Sequence, residues 1–198
     1  MPFRYRVAGA AAVIHAPFGM QMKFPSSALT LASRVELLIL DVDGVLTDGR
    51  LFFTTGGEEI KAFSSQDGAS IKLLLATGVA VAIVTGRRSE IVARRAAELG
   101  IVHLIQGAND KAKAFDALES ATGIGASCAA HVGDDLPDLG LFRRVGMKIS
   151  VPGAHPVALE RADYVTDALP GTGAVREVCQ LIMTARGTWD EVLADLER

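Results

Sequence analysis

Short apolar runs alternate with helix-length segments from Val35 onward, and this alternation constrains the fold most. The runs Val35–Leu40, Val79–Val84, Ile101–Ile105, Cys128–Val132 and Met147–Val151 are short and often β-branched. Each reads as a strand buried on both faces, as parallel strands are. The segments Asp67–Thr77, Ser89–Leu99, Asp110–Thr122 and Asp135–Arg143 between them read as helices. Strands alternating with helices at this spacing predict βαβ units, hence an α/β fold with a Rossmann-like parallel sheet flanked by helices. Residues Gly49–Ala62 break the rhythm. There, Arg50–Thr54 and Glu58–Ala62 flank Thr55-Gly56-Gly57, a β-hairpin pattern. No insertion between strands is long enough for a second folded domain. The reading is therefore one domain over residues 34–187, preceded by an arm at 1–33 and followed by a docking helix at 188–198. In that last segment Trp189, Val192, Leu193 and Leu196 recur at helical spacing.

Ligands of an open parallel sheet bind beyond the carboxyl ends of its strands. The first strand is followed by Asp41 and Asp43, the second by Thr85, Gly86 and Arg87. Past the third comes Lys111, and the fourth is followed by Gly133, Asp134, Asp135 and Asp138. One such residue has an ordinary explanation: a strand-end Asp commonly forms a turn or caps a helix, and a lone Lys111 is a solvated helix residue. Asp135 reads as the cap of its helix, and Asp138 falls in the first turn, where the dipole favours a carboxylate. Four elements arriving in order at one rim ask for more. Carboxylates this close repel by roughly 4 kcal/mol per pair at 4 Å and an effective dielectric of 20. A hard divalent cation offsets that, and Mg²⁺ takes one or two carboxylates together with water and phosphate oxygens. Asp41 and Asp134 are its candidate side-chain ligands, with the backbone carbonyl of Asp43 a third. A cation, a lysine and a hydroxyl suit a phosphoryl group. Asp41 is then the candidate nucleophile and Asp43 the candidate acid and base.

The totals exclude several classes. The 198 residues carry a net charge of −3, which gives no reason to expect a nucleic-acid partner. No apolar run reaches the ~18 residues that span a membrane. Two cysteines, Cys128 and Cys179, make neither a disulfide framework nor a zinc site, and a reducing compartment, the cytoplasm, is expected. Arg4 and Arg6 ahead of the apolar run Val7–Ile14 faintly resemble an export signal. The alternatives are a disordered arm or a start at Met20 or Met22.

The segments 41-DVDGVLTD-48, Thr85, Lys111 and 133-GDDLPD-138 resemble the four motifs of the haloacid dehalogenase superfamily of phosphatases, over about Val35 to Met183. The resemblance implies Asp41 as nucleophile, Asp43 as acid and base, Thr85 and Lys111 as phosphate binders, and Asp134 as the third Mg²⁺ ligand. Asp135 or Asp138 would position Lys111 and the metal. A narrower likeness lies in 43-DGVLTDGRL-51, the hairpin, 67-DG-68, 83-IVTGR-87 and 171-GTGAVREVC-179, which are similar to the family of 3-deoxy-D-manno-octulosonate 8-phosphate phosphatases. That likeness implies a capless homotetramer built through the hairpin and acting in lipopolysaccharide synthesis, with a Gly-rich tail reaching toward the neighbouring subunit's site and Arg87 and Arg176 on the substrate's phosphate or carboxylate. The chain departs from the family at 67-DGASI-71, where members often carry Tyr-Gly-Ile after the Asp-Gly pair. Related readings are a nonulosonate 9-phosphate phosphatase and a tetramerising phosphatase-like module with secondary activity. A phospho-acceptor receiver fits poorly, since receivers place the phosphorylated Asp after a later strand than their acidic pair.

Overall fold

A computed structural model describes residues 24–198. Helix α1 (Ser26–Ala32) leads into strand β1 (Leu37–Leu40). A hairpin of β2 (Phe52–Phe53) and β3 (Glu59–Ile60) precedes α2 (Ser65–Ala76), β4 (Ala80–Thr85), α3 (Glu90–Leu99), β5 (His103–Gln106) and α4 (Lys111–Thr122). Then follow β6 (Ala129–Val132), α5 (Leu139–Phe142), β7 (Met147–Ser150), α6 (Pro156–Arg161), β8 (Tyr164–Val165), α7 (Ala174–Arg186) and α8 (Trp189–Leu196). Six strands form one parallel sheet in the order β5-β4-β1-β6-β7-β8. The expected α/β architecture is present, with five of the six strands within two residues of the run that announced them.

The central strand shows why the apolar runs are continuous. Leu38 and Leu40 pack on one face with α1, α2, α3 and α7, while Leu37 and Ile39 pack on the other with α4 and Leu141. All four are fully buried, so alternation with polar residues has no place here. The topology then fixes the site. The chain runs outward from β1 through β4 to β5, then returns to the other side of β1 as β6. Leu40 is in register with Ile83 of β4 and Val132 of β6. Asp41, Thr85 and Asp134 therefore leave three adjacent strands at nearly one level, at the topological switch point.

Two expectations are corrected. Residues 26–32 are not part of a loose arm: they form α1, whose Ala28 and Ala32 are buried in the core shared with α7. Small residues at this contact let the short helix approach closely. The export-signal reading and the alternative starts at Met20 and Met22 lie outside the described residues. The segment Asp135–Arg143 is not one helix but a 3-10 turn, Leu136–Asp138, followed by the four-residue α5. β8 follows no apolar run, and Tyr164-Val165 is too short to show a period. The C-terminal α8 docks in part: Trp189 and Val192 pack on the core, whereas Leu193 and Leu196 face solvent. Among the described residues no helix is long and apolar enough to cross a membrane.

If α1 belongs to the domain, a charge on its buried face should be costly. Ala32→Asp should lower stability by about 3 kcal/mol, because the carboxylate has no partner in an apolar contact. Urea unfolding measures this, and an unchanged midpoint would detach α1 from the folded unit.

Candidate active site

Nine of the ten residues singled out from the sequence line one cleft at the carboxyl rim: Asp41, Asp43, Thr85, Gly86, Arg87, Lys111, Asp134, Asp135 and Asp138. Lys111 enters it because Asp110 caps α4, accepting from the backbone N–H groups of Ala112 and Lys113. That cap places Lys111 in the first turn with its ammonium turned inward, buried, and 2.9 Å from Asp41 Oδ1. Lys111 Nζ also donates to Asp138 Oδ1 at 2.6 Å.

Asp138 is fully engaged. Its Oδ1 further meets His131 Nε2 at 2.8 Å, and its Oδ2 accepts from the backbone N–H groups of Asp134 (3.1 Å) and Asp135 (3.2 Å). Gly133 is required for this approach, since a Cβ there would lie 2.4 Å from Asp138 Cγ. The expectation that Asp135 or Asp138 positions the lysine resolves to Asp138. Asp135 also lines the cleft, but its side chain accepts from the Leu136 N–H and caps the 3-10 turn.

One carboxylate oxygen from each of Asp41, Asp134 and Asp138 lies within 4.8 Å of the others. Asp138 has no acceptor to spare, so Asp41 and Asp134 are the side chains free to hold a cation. Asp134 Oδ1 is buried without a hydrogen-bond partner. The same crowding appears in the electrostatics. Burial and then the neighbouring Asp41 push the Asp134 carboxyl up to about 7. Burial likewise raises Asp41, against the pull of Lys111. Burial works against the Lys111 ammonium too, but Asp41 and Asp138 hold it above its ordinary value. Burial also acts to raise Asp138, yet the hydrogen bond from His131 and the charge of Lys111 keep it well below the usual carboxylate range. An orphaned buried oxygen on an acid forced toward neutrality is what a missing positive charge produces, and all-oxygen donors suit Mg²⁺. Gly44 completes the fit: at φ +95 its Cβ would stand 2.1 Å from Asp134 Oδ2.

The Asp43 side chain faces away from this cluster. Its Oδ1 meets the ammonium of Lys61, and its Oδ2 lies 3.6 Å from Arg87 Nε. Any contribution of Asp43 to a cation would thus come from its backbone carbonyl. Thr85 is buried, and its hydroxyl accepts from the Arg87 N–H at 3.4 Å. Arg87 donates to Glu59 Oε1 at 2.9 Å.

Arg176 is not brought to the cleft. Its backbone N–H donates to Asp67 Oδ1 at 2.8 Å and its guanidinium to Gln66 Oε1 at 2.7 Å, tying the start of α7 to α2. Three residues were missed from the sequence. His131 carried a signal, a single imidazole inside an otherwise apolar strand. Lys61 and Glu59 carried none, because a charged pair in a hairpin reads as solvated.

The electrostatics give a pH test. Asp134 titrates near 3.8 in an unfolded chain and near 7 when folded without metal. The folded state holds a proton that the unfolded state has released, so this stabilisation is present below about pH 4 and lost as pH rises through 7. The urea midpoint of chelator-treated protein should fall between pH 5 and pH 8, and Mg²⁺ should restore it at pH 8. Asp134→Asn should flatten the slope and remove the Mg²⁺ response; a slope that persists in this variant would place the proton elsewhere.

Comparison with known proteins converges on one group. The haloacid dehalogenase-like hydrolase family model matches residues 96–176. The 3-deoxy-D-manno-octulosonate 8-phosphate phosphatase of Salmonella typhi is 48% identical over 163 residues, covering 82% of this chain and 87% of that protein. The enzyme of the same name from Escherichia coli K12 is 46% identical over 166 residues, 84% and 88% of the two chains. The crystal structure of such a phosphatase from Moraxella catarrhalis, in complex with magnesium, phosphate and the octulosonate, matches with TM-score 0.83 at 44% identity, covering 85% of this chain and 97% of that one. A cobalt-bound form from Haemophilus influenzae matches with TM-score 0.79 at 35% identity, covering 82% and 98%.

Proposed function

The chain belongs to the haloacid dehalogenase-like hydrolases, and we propose that it is a Mg²⁺-dependent phosphomonoesterase acting on 3-deoxy-D-manno-octulosonate 8-phosphate. One observation carries this reading. Asp41, buried at the end of the central strand, sits between an ammonium at 2.9 Å and a carboxylate cluster with the donors for a cation. The Moraxella catarrhalis relative, with magnesium, phosphate and octulosonate bound, supports the choice of metal and substrate.

The roles follow from position. Asp41 attacks phosphorus; the bond from phosphorus to the sugar oxygen breaks, and the carboxyl proton of Asp43 passes to that oxygen. Asp43, now a carboxylate, takes a proton from water, which attacks phosphorus and releases Asp41 and phosphate. Lys111 and Thr85 hold phosphoryl oxygens, and Lys111 depends on Asp138 for its direction. Asp41, Asp134 and the Asp43 carbonyl would hold Mg²⁺, with Asp135 beside them. When bound, the cation neutralises charge on the phosphoryl oxygens. Arg87, near the cleft mouth and 42% exposed at its side chain, would exchange its contacts with Glu59 and Asp43 for the substrate's phosphate or carboxylate. Gly86 lines the same cleft, between Thr85 and Arg87.

Phosphate release should require Mg²⁺ and prefer octulosonate 8-phosphate over nonulosonate 9-phosphates. It should fall by at least about a thousandfold in Asp41→Asn, which removes the attacking oxygen. Colorimetric phosphate assay decides this: release that survives in Asp41→Asn would remove the nucleophile, and a preference for another sugar would replace the substrate.

We further propose a homotetramer working in the cytoplasm. Leu51, Phe52, Phe53 and Ile60 on the hairpin are 43–59% exposed, an apolar patch that a second copy would cover. Both cysteines are free thiols, as a reducing compartment maintains them. Phe52→Asp with Phe53→Asp should reduce the mass measured by light scattering, and an unchanged mass would clear the hairpin of this role.

A further inference from the structure

Lys61 directly follows β3 of the exposed hairpin, yet its side chain is only 1% exposed. Burying an ammonium costs several kcal/mol unless its partners are well placed. Its partners are Asp43 Oδ1 and, at 3.4 Å, Glu59 Oε1. Glu59 is itself anchored: Oε2 accepts from Ser89 Oγ at 2.6 Å and Oε1 from Arg87 Nη2 at 2.9 Å. The Ser89 hydrogen bond leads the causes that hold the Glu59 carboxyl below its ordinary range. Three segments thus meet on Asp43: the turn after β1, strand β3, and the loop after β4.

From this geometry we infer that Lys61 is a positioning residue for Asp43. It occupies Oδ1 and so fixes Oδ2 as the oxygen presented to the leaving group and to water. Arg87 can leave Oδ2 for the substrate without releasing the side chain, because Lys61 still holds the other oxygen. Glu59 reaches Arg87 and Ser89 while Lys61 contacts Asp43 directly, so Lys61 is the link through which the hairpin acts on the acid. The inference rests on the reading of Asp43 as acid and base.

A leaving-group comparison separates positioning from mere structure. A sugar oxygen needs a proton as it departs, whereas 4-nitrophenolate leaves without one. The kcat/KM for each ester reports transfer of the phosphoryl group to Asp41. Lys61→Met should lower kcat/KM for octulosonate 8-phosphate by roughly 30-fold, within the range of general acid catalysis. The loss on 4-nitrophenyl phosphate should stay under about threefold by the same reasoning. Lys61→Arg should recover most of the loss on the sugar ester. Lys61→Gln is measured in parallel, and whichever neutral variant elutes like the parent must show the selective loss. Equal losses on both esters, no loss, or failure of both neutral variants to fold would overturn the inference. Asp43→Asn serves as reference. If it shows the selective loss and Lys61→Met does not, only Lys61 is dismissed. If Asp43→Asn shows none, the acid-and-base reading itself fails.

Discussion

Asp138 accepts from Lys111, His131 and two backbone N–H groups, and the metal side of the cleft takes its position from that node. Through Lys111 it fixes the start of α4 against β1. Through His131, whose other ring nitrogen lies 3.1 Å from the Ile39 carbonyl, it ties β6 to the central strand. Through the two N–H groups it bends the chain after β6 so that Asp134 faces Asp41. A carboxylate with both oxygens so engaged has nothing left for a cation. Asp134, with one buried oxygen unpartnered, has what Asp138 lacks. The division of labour between neighbouring acids thus follows from hydrogen-bond saturation, not from distance.

The same node explains how a site with several buried charges stays folded. The Lys111 ammonium and the hydrogen-bond donors around Asp138 offset part of the repulsion among three carboxylates. The remainder is concentrated on Asp134, whose carboxyl rises to about 7. Instability is thereby confined to a position where a ligand relieves it. This is a familiar arrangement for functional sites, which tolerate local strain that the surrounding fold over-determines.

Much of this was legible in the sequence. Buried parallel strands must be apolar on both faces, so the five runs stood out, and residues just beyond them had to share a rim. That reasoning reached Asp41, Asp43, Thr85, Lys111 and Asp134. It failed where the deciding interaction is long-range. Arg176 binds the Gln66 amide within its own chain, whereas the substrate contact that the resemblance implies for it would be made toward a neighbouring subunit's site. Lys61 gives no signal because its partner Asp43 stands 18 residues away in the sequence. Helix α1 gives little signal because seven residues are too few to display a helical period.

The hairpin has one consequence for how such chains can vary in length. Glu59 and Lys61 turn toward the cleft, while Ile60 between them is 53% exposed. Side chains along a strand alternate strictly, so adding or deleting one residue in the Thr54–Glu58 turn would exchange the two sets. Lys61 would be thrown into solvent and an isoleucine pressed against the acid. A change of two residues preserves the facing. Insertions and deletions in this turn are therefore tolerated by parity: even ones leave Asp43 supported, and odd ones strip it of its clamp.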